Sequence, residues 1–226
     1  MFIPLRDDNP TSRFPLVTIA LIAVNTAVFL AQATVPHGLE LAALRFGAVP
    51  YAITHFRALA GTASFPPLLT LLTSLFLHGS LLHLLGNMLY LWIFGNNIED
   101  ILGPVRFILF YLACGVTASL THILFVPASR VPMIGASGAI AGVLGAYALV
   151  FPRARVKTFI FLIFYIDVVA VPAGLVLGVW FLLQFLSVDT GGGVAWFAHI
   201  GGFLAGLLLI WLVRGRGVRR PDWRKS

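Results

Sequence analysis

Ser137 stands between glycines, in Gly135-Ala136-Ser137-Gly138, at the head of an apolar run that continues to about Phe151. A hydroxyl is a poor nucleophile until something removes its proton, and a neutral imidazole does this near pH 7. His199, which opens the apolar run 198–213, is the candidate base. His83 and Asn87 lie four apart in the run 81–94, so a helix there carries both on one face. Such a pair suits the oxyanion of a tetrahedral intermediate, together with the backbone N–H of Ser137. Each residue also has a plain reading. Ser137 fits a helix N-cap, and His83 and Asn87 fit interhelical hydrogen bonds worth about 1 kcal/mol each.

The elements that must position these groups are apolar. The 226 residues are 59% hydrophobic and 10% charged, with mean hydropathy +0.97, whereas soluble domains average about 25% charged residues. The fold class expected is all-α, a polytopic membrane bundle of six helices. A β-barrel needs alternating segments of about ten residues, and these runs are continuous. Spans are expected near 15–33, 80–95, 107–126, 137–151, 170–188 and 198–213, the fourth noticeably short. Ala31-Gln32-Ala33 resembles a signal-cleavage site, but the run before it exceeds the usual 7–15 apolar residues. The first span is therefore expected to be retained.

The whole chain, 1–226, reads as one membrane domain: a polar segment 1–13, a core 14–213 and a basic tail 214–226. Segment 35–67 is expected to form short interfacial helices, and 96–105 a turn. Segment 158–169 is read as an interfacial stretch or an extension of the fifth span.

Charge sets the orientation. With both termini cytoplasmic, the inner segments hold twelve of the fifteen lysines and arginines, and the outer loops only Arg45, Arg57 and Arg130. That is a positive-inside pattern, and it assigns the net charge of +7 to lipid headgroups rather than nucleic acid. The second, fourth and sixth spans then all enter from outside, so His83, Asn87, Ser137 and His199 share one depth. Gly138 and Gly142 form a small-residue face on the fourth span, and Gly202 and Gly206 a matching one on the sixth. Packing the two faces brings Ser137 and His199 within hydrogen-bond reach.

Other chemistries lack their residues. No His-Glu-x-x-His or zinc-type Cys/His spacing occurs, so no metal is expected. Cys114 is alone, which rules out an internal disulfide. Residue 139 is Ala139 and no strand precedes Ser137, so this is not a soluble-hydrolase elbow.

The motifs together resemble the rhomboid family of intramembrane serine proteases. They are His78 followed by His83-x-x-x-Asn87, Gly135-x-Ser137-Gly138, and Ala198-His199 with Gly202 and Gly206. Glu99 before Gly103 fits the turn after the family's second span. The resemblance implies Ser137 as nucleophile, His199 as general base and His83 and Asn87 as oxyanion donors, with Gly135, Gly138 and His78 supporting. It implies no cofactor, a multi-pass location in the cell membrane, and transmembrane proteins as substrates cut in or near a helix. Two positions depart from the family. Ala141 replaces an aromatic that packs on the histidine in many members, which leaves Trp196 or Tyr147 to orient His199. Phe56-Arg57 stands where a Trp-Arg pair is usual. The competing readings are a catalytically silent rhomboid-like binder and a small transporter. Both Ser137 and His199 are present, against the first, and the polar groups cluster near one face, against the second. Asp189 is the one acid expected on the outer side near His199, three glycines from the helix. A Ser-His dyad is therefore expected rather than a triad.

Overall fold

The computed structural model describes residues 2–57, 65–162, 165–186 and 195–213. Strand β1 (Phe2–Asp7) leads into α1 (Leu16–Ala33), whose amino end is closed from far away in the chain. Pro15 supplies no side-chain cap, and the buried Glu99 carboxylate accepts from the Val17 and Thr18 amides at 2.8 and 2.7 Å. It also accepts from the Thr18 hydroxyl at 2.7 Å. A carboxylate there satisfies orphan amides and suits the positive end of the helix dipole.

The connection that follows holds α2 (Gly38–Phe46) and α3 (Pro50–Thr54), in line with the short helices expected there. It also straps the segment leading to Ser137. Ala48 and Met133 exchange backbone hydrogen bonds of 3.0 and 2.8 Å, and the Tyr51 amide donates to the Ser129 carbonyl at 2.9 Å.

Next comes a broken helix. A short segment, α4 (Thr70–Thr73) flanked by single 3-10 turns, meets the helix over 81–102 at 79°. The second arm is α5 (Leu81–Tyr90), one π turn over Leu91–Gly95, and α6 (Asn96–Leu102). The turn expected at 96–105 is thus mostly helix. It narrows to Gly103, whose φ of 76° suits glycine, and Pro104 then opens α7 (Pro104–Phe125).

Helix α8 (Ser137–Val150) is followed by β2 (Arg155–Leu162), β3 (Tyr165–Pro172), α9 (Ala173–Leu186) and α10 (Trp196–Val213). The described residues are mostly helical, as expected, but the all-α class is corrected by one small sheet. β1, β2 and β3 form an antiparallel sheet in that order, running Phe2↔Ile160 to Asp7↔Val156 and Arg155↔Pro172 to Leu162↔Tyr165. The expected interfacial segment 158–169 is the body of this hairpin. Its composition, Thr-Phe-Ile-Phe and then Tyr-Ile-Asp-Val-Val, is β-branched and aromatic and packs well on a pleated surface. Val156 and Thr158 point inward while Arg155 and Lys157 are exposed, the alternation of a half-buried strand.

Membrane-spanning helices are present. By length and composition, α1, α7 and α10 qualify, and the bent pair 67–102 makes a fourth. Helices α8 and α9 are apolar but only 14 residues long, so the described residues do not carry a count of six spans. Pairing of β1 with β2 puts the amino-terminal segment and the α8–α9 connection at one end of the bundle.

The core lies where α8 is held between α7 and α10. A Cβ on Gly202 would collide with the Gly138 carbonyl, one on Gly206 with the Gly142 carbonyl, and one on Gly145 with the Phe203 carbonyl. The two helices are therefore in backbone contact, as small residues allow. On the other side of α8, a Cβ on Gly138 would lie 2.6 Å from that of Ala118 on α7.

Candidate active site

Ser137 is the first residue of α8, and no side chain caps that helix. Its Oγ lies 2.9 Å from His199 Nε2, so the plain N-cap role is not what this hydroxyl does. The approach follows from the glycine contacts. With α8 and α10 touching through Gly138 and Gly202, residues at the heads of both helices meet across the seam. His199 lies in the first turn of α10, and Ser137 opens α8.

The other nitrogen of the histidine, Nδ1, lies 2.8 Å from Gln184 Oε1 on α9. Two tryptophans flank the ring, Trp196 edge-on at 5.7 Å between centroids and Trp180 tilted at 5.9 Å. Of the two candidates for orienting His199, Trp196 touches it. Tyr147 does not: it sits ten residues further along α8, about 15 Å at the helical rise, against Phe94 and Phe151. Asp189 and its neighbouring glycines lie outside the described residues.

His83 and Asn87 share one face of α5, which is capped by Ser80: its Oγ accepts from the His83 amide at 3.1 Å. That face abuts Gly135, two residues before the serine. A Cβ at Gly135 would stand 2.7 Å from His83 Nε2 and 3.7 Å from Asn87 Nδ2. Gly135 also has φ of 121°, a conformation that L side chains rarely adopt, and its amide donates to the Ser74 carbonyl at 2.9 Å. Only glycine fits here on both counts. The Asn87 amide nitrogen is buried without a hydrogen-bond partner among the described residues. His78 is fully buried, its ring 5.0 Å from that of His83, and neither ring nitrogen has a hydrogen-bond partner among the described residues. Ser137, His199, His83, Asn87, Gly135, Gly138 and His78 thus gather at the heads of α5, α8 and α10.

Chemically, a hydroxyl sits on an imidazole nitrogen beside amide and imidazole groups that retain unused donors. The sequence reading missed Gln184 and Ser80. A signal for Gln184 was present: it is the one side-chain amide in the otherwise apolar run 173–186, and polar residues within spans are seldom idle.

At the far end of α8 a second polar cluster forms. The Tyr147 hydroxyl donates to Asp7 Oδ2 at 2.5 Å, and Asn97 Nδ2 donates to the same oxygen at 2.9 Å. Burial pushes the Asp7 carboxyl up to about 6, although the bond from Tyr147 pulls the other way.

A sequence model described as the rhomboid domain matches residues 67–216, the part that carries Ser137, His199, His83, Asn87, His78 and Gln184. The chain belongs to the rhomboid family. Its curated relatives include rhomboid protein 1, mitochondrial, of Saccharomyces cerevisiae, 32% identical over 154 residues, or 64% of this chain and 42% of the relative. Rhomboid protease GluP of Bacillus subtilis is 37% identical over 136 residues, covering 60% and 24%. The human presenilin-associated rhomboid-like protein, mitochondrial, is 35% identical over 151 residues, covering 63% and 36%. The match thus spans 24% to 42% of the length of these relatives.

Proposed function

We propose that this rhomboid is an intramembrane serine protease that hydrolyses peptide bonds in or near transmembrane segments of other membrane proteins. The observation that carries the reading is the 2.9 Å contact between Ser137 Oγ and His199 Nε2. Ser137 attacks the scissile carbonyl carbon while its proton passes to Nε2. The carbonyl oxygen becomes an oxyanion, and Asn87 Nδ2, the His83 ring and the first amide of α8 are its donors. An unpartnered buried donor is costly in the resting state and becomes useful only when charge develops, which is how transition-state stabilisation works. Protonated His199 then gives its proton to the leaving amine. A water attacks the acyl-enzyme by the same route and releases the serine.

The nucleophile and base form a Ser-His dyad, and the whole chain acts as one membrane domain, surrounded by the lipid bilayer. A stable helix keeps its peptide groups satisfied and buried, so a substrate must unwind locally before its carbonyl reaches Ser137. Preferred substrates therefore carry helix-destabilising residues near the cut. Both termini lie on the basic, cytoplasmic side of the cell membrane. A mitochondrial membrane is the second reading, favoured by the mitochondrial yeast and human relatives, and subcellular fractionation separates the two.

The test is a panel of transmembrane peptides in proteoliposomes, with products read by mass spectrometry. Cleavage by the wild type and none by Ser137→Ala supports the assignment. Peptide binding with no cleavage by either would leave a rhomboid-like binder.

A further inference from the structure

A base that works through Nε2 must keep that nitrogen unprotonated, and two hydrogen bonds on α9 decide whether it does. Gln184 Nε2 lies 2.7 Å from the backbone carbonyl oxygen of Trp180. A carbonyl only accepts, so the NH2 end of the amide faces Trp180, and the amide oxygen faces away. That oxygen lies 2.8 Å from His199 Nδ1. An amide oxygen also only accepts, so Nδ1 carries the hydrogen. A neutral imidazole has one N–H, and Nε2 is left with a bare lone pair 2.9 Å from the Ser137 hydroxyl. The serine must then donate.

We propose that Gln184 is a positioning residue that fixes the tautomer of His199, a role that rests on the serine-protease reading above. Ring packing cannot do this alone. Trp180 and Trp196 fix the plane of the imidazole, but a half-turn of the ring about its bond to Cβ would present much the same surface to both. Only a directional hydrogen bond separates the two orientations.

A neutral amide suits the site. Gln184 is 5% exposed, and a carboxylate there would carry a desolvation cost of several kcal/mol. When His199 accepts the serine proton, both ring nitrogens become donors. Nδ1–H keeps its acceptor on Gln184, and Nε2–H faces the substrate side. No rearrangement is required between the two protonation states.

Two readouts test this, one of which does not depend on cleavage. Solid-state NMR of histidine-labelled protein reads the tautomer, with a His199→Gln sample identifying the signal. The wild type should show His199 protonated at Nδ1, and Gln184→Met should show a mixture or the Nε2–H form. In cleavage assays, Gln184→Met should lower kcat about 10–100-fold, the scale on which partners that fix a histidine's tautomer act. KM should stay within about two-fold. Gln184→Glu keeps an acceptor at the same reach; its buried carboxyl should lower Tm, but kcat well below that Tm should stay within about ten-fold. An Nδ1–H tautomer that persists in Gln184→Met, or wild-type kcat in that variant, overturns the proposal. So does an equal loss of kcat in both variants, measured well below their melting points, which would mark Gln184 as structural. Ser137→Ala runs alongside: cleavage by that variant would sink the protease reading itself, whereas its silence beside a fully active Gln184→Met would sink only the role of Gln184.

Discussion

The two ends of α8 put their buried polar groups to different uses. At the carboxyl end, Tyr147 reaches Asp7 on β1, and Asn97 on α6 donates to the same oxygen. Three elements distant in sequence are tied together by bonds already made in the resting protein. At the amino end, Asn87 Nδ2 and both nitrogens of His78 are buried with no partner among the described residues, and each such group costs about 1–3 kcal/mol. A fold that can satisfy a tyrosine and an aspartate 140 residues apart could satisfy an asparagine. Asn9 Nδ2 near Tyr147 is also buried without a partner among the described residues, so what sets the amino end apart is that its open donors lie beside a serine and a histidine, where a transition state can use them.

Removing the base breaks this contrast most severely. His199→Ala should lower cleavage by about 10⁴-fold, while the Tyr147–Asp7 end keeps Tm within a few degrees. Unfolding of the variant in a thermal melt would show that the histidine is part of the scaffold.

Asn87→Ala comes next. It should reduce kcat by about 10²–10³ with little change in KM, because an oxyanion donor acts in the transition state. Steady-state kinetics separates this from the alternative: a rise in KM alone makes Asn87 a substrate contact.

At the structural end the effect should fall on stability. Tyr147→Phe removes one hydroxyl and should cost about 1–3 kcal/mol, read as a lower unfolding midpoint in detergent. Cleavage well below that midpoint should stay within a few-fold of wild type. A loss of kcat as large as that of Asn87→Ala would mean that the two ends are not separable.

The smallest effect concerns pH. The carboxyl of Asp7 is held near 6 in the fold, against 3.8 ordinarily. Between those values the folded state binds the extra proton, so stability is favoured at low pH and lost as pH rises through 6. Asp7→Asn keeps an acceptor for Tyr147 and cannot ionise. It should flatten the dependence of Tm on pH between 4 and 6 and stabilise the protein at pH 7 by roughly 1–2 kcal/mol, discounted because the group is only part-buried. An unchanged pH profile would show that another group carries it.

The sequence made the amino end of α8 more legible than the rest, for a physical reason. Glycines at 138, 142, 202 and 206 repeat every four residues and pack by simple helical geometry, so the meeting of Ser137 with His199 follows from spacing. The sheet was not legible in the same way. An apolar run such as 158–169 fits a buried helix or a strand equally by hydropathy, and its β-branched and aromatic residues were the cue that should have decided. Partners set by tertiary contact have no local signature at all. Glu99 capping α1, Asp7 meeting Tyr147 and Gln184 meeting His199 each depend on helices whose relative placement the sequence alone does not give.

The most direct measurement is covalent. A fluorophosphonate reacts with a serine hydroxyl only when a base has activated it, so the intact mass and the labelled peptide report Ser137 without reference to any substrate. The account predicts a single adduct on Ser137 in the wild type, none in Ser137→Ala, and labelling slowed by orders of magnitude in His199→Ala. Labelling of Ser137 at the wild-type rate without His199, or no labelling of Ser137 in the intact protein, would contradict it.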